Sequence, residues 1–101
     1  MHVVMTLNGG PSHGSHEFQD NDDIMKRIKP IKDRNVRVAM VLYHQTHKGK
    51  VPKALQSTFQ PVIGEELAEL DSAARKYQII SRKENRDDKT LEIVAQYDPS
   101  D

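Results

Sequence analysis

A short apolar run, Val3-Val4-Met5-Thr6-Leu7, stops abruptly at Asn8-Gly9-Gly10-Pro11-Ser12-His13-Gly14. Three glycines, a proline and an asparagine within seven residues specify a backbone that needs positive φ and a fixed reversal. The predicted outcome is a strand entering a tight turn, with Glu17-Phe18-Gln19 on the returning strand. A chain that begins this way is committed to a sheet at its N-terminal end.

At 101 residues there is room for one domain, 1–101, with a core that is limited but sufficient for folding without covalent help. The chain has no cysteine, which removes disulfides, thiolate metal sites and thiol nucleophiles and favours a reducing compartment. No stretch approaches the ~18 apolar residues of a membrane span, and no basic region with a long apolar core opens the chain. We therefore expect a soluble cytoplasmic protein without a membrane partner. Fifteen basic residues balance fifteen acidic ones, unlike a strongly basic nucleic-acid binder. Within that balance Lys26, Arg27, Lys29, Lys32, Arg34 and Arg37 form a basic stretch, and Glu65, Glu66, Glu69 and Asp71 an acidic one.

Asn21-Asp22-Asp23 can cap a short helix through Ile24, Met25 and Ile28, which Pro30 must end. Val36–Tyr43 is the most hydrophobic run and is rich in β-branched residues, so it is read as a central strand. The competing reading is a helix capped by Asn35 and closed by Gly49. Val51–Val62 stays open between an edge strand interrupted by Pro52 and Pro61 and a helix started by Pro52. Ile63, Leu67, Leu70, Ala74 and Tyr77 recur at helical spacing and predict an amphipathic helix over 63–77. Leu91, Ile93, Ala95 and Tyr97 alternate with polar residues, so a hairpin from Gln78 to Tyr97 follows, and 98–101 is expected to fray.

Two layouts accommodate these elements. The favoured one is α+β: a small antiparallel sheet built from hairpins, with the main amphipathic helix 63–77 packed on it. The alternative is a winged helix over 36–98, whose recognition helix would carry Glu65, Glu66, Glu69 and Asp71 toward phosphate.

His13-Gly14-Ser15-His16 and His44-Gln45-Thr46-His47 are two His-x-x-His pairs, and imidazoles commonly ligate zinc, copper and nickel. His13, His16, His44 and His47 are therefore the candidate metal ligands, although no cofactor is expected overall. The glycine-rich turn fails as a P-loop, because Gly14 is followed by Ser15-His16 where Lys-Ser or Lys-Thr is needed. Ser12, Ser15, His13, His16, Asp20, Asp22 and Asp23 cluster in sequence, but no nucleophile elbow or His-Glu-x-x-His motif accompanies them. A non-enzyme is expected.

Leu7-Asn8-Gly9-Gly10-Pro11-Ser12-His13-Gly14 resembles the opening of many small phage and prophage proteins, in which a strand meets Gly-Gly-Pro, one residue, then His-Gly or Asp-Gly. The resemblance implies a small accessory or host-interaction protein, acting in the host cytoplasm. Gly14-Ser15-His16 before Glu17-Phe18 also has the composition of a cloning junction. The leading expectation is a binding or adaptor protein with a protein partner, and a homodimer is compatible with it. The second is nucleic-acid binding. Lys26, Arg27, Lys29, Lys32, Arg34, Arg37, Arg82, Lys83 and Arg86 are the candidate contacts for either partner.

Overall fold

The computed structural model describes residues 1–21, 31–49, 51–52 and 63–99. Its elements are β1 (His2–Asn8), β2 (Gly14–Gln19), α1 (Arg34–His47), α2 (Ile63–Ala74), β3 (Tyr77–Asn85) and β4 (Thr90–Tyr97). The strands form one sheet in the order β2-β1-β4-β3. Both expected hairpins are present, β1 with β2 and β3 with β4, each antiparallel. The sheet as a whole is nevertheless mixed, because β1 and β4 run parallel at its centre. Local alternation specifies a hairpin but carries no signal for how two hairpins are oriented to each other, so the expected all-antiparallel sheet is corrected here.

Alternation decides which face is buried. Val3, Met5 and Leu7 of β1 and Leu91, Ile93 and Ala95 of β4 are all buried. They share one core cluster with Val38, Met40, Val41 and Leu42 of α1 and Leu70 and Ala74 of α2. Val4, Thr6 and Val94, one residue out of phase, are only half-buried on the opposite face. Burial of large side chains at this level is worth about 1.5–3 kcal/mol each, so the inner face of the sheet and the helices packed on it share the cohesion.

The run Val36–Tyr43, read above as a strand, lies in a helix of 14 residues. Every residue from Arg37 to His44 is buried. A helix enclosed on this scale shows no polar stripe, so its 3.6-residue period is hidden and the β-branched valines mislead. The cap is also two residues earlier than expected: the Asp33 carboxylate accepts from the Asn35 N–H at 2.9 Å. Gly49 ends the element in the left-handed region (φ +80°), as the sequence indicated.

The second helix stops at Ala74, not at residue 77. Arg75 and Lys76 form the turn, and Tyr77 is the first residue of β3, where its ring meets that of Tyr97 at 5.1 Å. The α+β class holds, and over 34–97 the order helix, helix, hairpin that a winged helix also needs is retained. The short helix expected at 24–28 and the ambiguous segment at 53–62 lie outside the described residues.

β3 is irregular. Ile79 pairs with Ala95 and Ser81 with Val94, so Ile80 is an extra, bulged residue, 60% exposed. Beyond the bulge, Arg82 and Glu84 stand opposite Ile93 and Leu91 and so occupy the core-facing side of an edge strand. Inward charges of this kind deter edge-to-edge pairing.

Candidate functional site

The Gly-Gly-Pro turn builds a groove at one end of the sheet. Gly9 and Gly10 both have positive φ (+80° and +75°), which lets the chain fold back over the start of β3. The Tyr77 hydroxyl donates to the Gly9 carbonyl at 2.8 Å and accepts from the Ser12 N–H at 3.2 Å. A Cβ at Gly10 would lie 2.5 Å from Tyr97 Cδ1 and 2.6 Å from the Tyr77 hydroxyl, so glycine is required there by both space and φ.

Docked in this way, the turn forms one wall of a cavity of about 550 Å³. Pro11 and Ser12 come from the turn, Arg34 from the start of α1, and Tyr97 from the end of β4. Ala68, Glu69, Ser72, Ala73 and Lys76 supply the α2 side. The volume is in the range of ligand sites. Small residues at 68, 72 and 73 create the concavity: spaced four and five apart, they fall on one side of the helix and leave space where longer side chains would fill it.

The cations of the lining differ from several others in the molecule. Arg75 pairs with Asp71 at 2.9 Å, Arg86 with Glu84 at 3.3 Å and Lys48 with Asp20 at 3.7 Å. Arg34 and Lys76 have no such partner: among the described residues no carboxylate lies within 4.0 Å of either.

The remaining candidate cations are dispersed. Arg37 is 8% exposed, and its guanidinium donates to the Ile31 carbonyl. Arg82 donates to His47 Nε2 at 3.0 Å and approaches Glu84 at 3.5 Å. Lys83 stands opposite Glu92 on the open face of the sheet. Lys32 is exposed beside the start of α1, whereas Lys26, Arg27 and Lys29 lie outside the described residues. Among the described members of this set, Arg34 alone lines the groove.

Each histidine of the two pairs has a local role. His13 Nδ1 accepts from the Gly9 N–H at 2.8 Å, and His16 Nε2 donates to the Ser12 carbonyl at 2.9 Å, so both brace the turn. His44 is buried in α1 and meets the Tyr43 ring edge-on at 5.3 Å. His47 stacks on Tyr43 at 4.7 Å, with Nδ1 3.1 Å from the Tyr43 carbonyl. Because Nε2 accepts from Arg82, the proton belongs on Nδ1, an assignment made from the network. Burial lowers the His47 pKa, and the Arg82 and Lys48 charges act in the same direction. Among the described residues no three histidine, cysteine or acidic side chains gather as a metal site would need.

In the serine, histidine and aspartate cluster of the N-terminal region, Asp22 and Asp23 lie outside the described residues and the described members make other contacts. His16 binds the backbone of Ser12 and not its hydroxyl. Asp20 accepts instead from the Tyr43 hydroxyl. Burial raises the Tyr43 pKa, helped by that hydrogen bond and by the Asp20 charge.

Comparison with protein-family models, with curated proteins and with solved structures gives no match. No helix among the described residues is long and apolar enough to cross a membrane. Reasoning from sequence singled out the turn and Arg34 but not Ala68, Ser72, Ala73, Lys76 and Tyr97. The spacing of small residues in α2 was the available signal.

Proposed function

We propose that this chain is a small, non-enzymatic binding module that takes a short segment of a partner protein in the groove between the Gly9-Gly10-Pro11 turn and α2. The observation that carries this reading is the convergence, at one cavity, of three parts of the chain that are distant in sequence. The turn, one cation of the basic stretch and the outer side of the acidic helix all line it. An apolar floor with a few fixed polar groups is the usual composition of a recognition site. The likeness of Leu7–Gly14 to phage and prophage proteins is in keeping with a host-interaction role. Nucleic-acid binding is the weaker reading, since Arg82 and Arg86 face Glu84 and Arg37 is buried.

Selection of a displayed random-peptide library on the immobilised protein tests the proposal. Enriched peptides should lose binding to an Ala68→Trp variant, in which an indole fills the groove from an exposed helix position. Clones that bind Ala68→Trp as well as the parent, or a selection that enriches nothing, would refute it.

A further inference from the structure

The charges of the groove narrow the kind of segment it accepts. Arg34 is the first residue of α1, and Lys76 lies in the turn two residues past the end of α2, so a helix start and a helix end each leave a cation at the cavity. Both side chains are exposed, and neither has a carboxylate within reach among the described residues. The contrast lies one residue away, where Arg75 is held by Asp71 on the same turn of helix. Among the described residues Glu69 is the single carboxylate of the lining, against Arg34 and Lys76, so the described lining carries a net positive charge. Ala68, Ala73 and the Tyr97 ring line the same cavity and offer apolar contact.

Resting on the binding function proposed above, we infer that the groove recognises an acidic peptide segment: an Asp or Glu carboxylate received by Arg34 and Lys76, with a small apolar residue beside it over Ala68 and Ala73. Arg34 suits a carboxylate because its guanidinium presents two parallel donors, and Lys76 adds a mobile second charge. Glu69 repels a second acid at its own position and so fixes the direction in which the segment lies. A cavity of about 550 Å³ accommodates about three residues of an extended chain by the usual size of ligand sites.

Amide chemical-shift titration with two capped peptides provides the test. One probe is acetyl-Gly-Ala-Glu-Val-Ala-Gly-amide, and the other replaces its Glu by Gln. The Glu peptide should shift the amides of Ser12, Ala68, Ser72 and Ala73 and bind about fivefold more tightly than the Gln peptide, the usual scale of a partly exposed ion pair. Arg34→Gln and Lys76→Gln should each reduce that preference, and the double variant should abolish it while retaining the parent's melting temperature. Equal affinity of the two peptides at the groove overturns the acidic preference and leaves the binding function standing. Absence of groove shifts with both peptides overturns the inference as well, and the library selection then decides separately whether the groove binds a segment of other chemistry.

Discussion

The Tyr77 hydroxyl donates to the carbonyl of Gly9 at 2.8 Å across 68 residues of sequence, tying the opening turn to the first residue of β3. Without that bond the turn has no fixed position over the sheet, and one wall of the groove is lost with it. Tyr77→Phe keeps the ring packing against Tyr97 and removes both polar contacts, so we expect a loss of about 1–2 kcal/mol in urea denaturation. Gly10→Ala should cost more, because the added carbon meets two tyrosine side chains and φ stays positive. A Gly10→Ala protein as stable as the parent would show that the turn is not seated on the tyrosines.

Acidification should weaken the fold through His47. A histidine with a lowered folded pKa binds fewer protons when folded than when unfolded, so stability rises with pH between that value and the ordinary one of about 6.5. The contribution is complete above about pH 6.5 and is lost as pH falls toward the folded value. Denaturation midpoints at successive pH values should fall more steeply on the acid side for the parent than for His47→Gln, which keeps an acceptor for Arg82. Parallel curves would remove His47 as the cause.

At alkaline pH the informative side chain is Tyr43. Its pKa is raised, so its stabilising effect is present below the ordinary value of about 10 and is lost as pH climbs above it. The Tyr43 phenol should therefore resist ionisation until the protein unfolds, read as the difference in tyrosinate absorbance between the parent and Tyr43→Phe. Asp20→Asn removes a negative charge from beside that phenol and should make it titrate earlier.

The first helix can be tested at its cap and in its interior. Asp33→Ala removes the oxygen that holds the Asn35 N–H and should cost about 1 kcal/mol. Met40→Ala empties a fully buried position and should cost about 2–5 kcal/mol. Were Val36–Tyr43 a strand, the first substitution would be nearly neutral, so the pair of melting curves distinguishes the two conformations.

Both hairpins were legible because each carries its information locally. The Asn8–Gly14 turn names its own geometry, and Leu91, Ile93 and Ala95 mark the buried face of β4 two residues at a time. The first helix was misread because unbroken burial from Arg37 to His44 leaves no polar side to set a period, and composition then favoured β structure. Tyr77 satisfied helical spacing by coincidence while serving the strand. The groove was hidden for another reason: Pro11, Arg34, Ser72 and Tyr97 are brought together only by the sheet order and by two helix termini. The His-x-x-His spacing was visible, but its ring nitrogens serve the turn and the end of α1.

The side-by-side parallel alignment of β1 and β4 has a consequence in time as well as in space. Residues 2–8 and 90–97 are neighbours in the finished sheet, so during synthesis the N-terminal hairpin waits until β4 has been made before its inner flank is covered. Closing so long a loop makes folding slow compared with a helical bundle of this size. In that interval Val3, Met5 and Leu7 are without their lasting neighbours, and the hazard for this protein is misassociation of the half-made sheet.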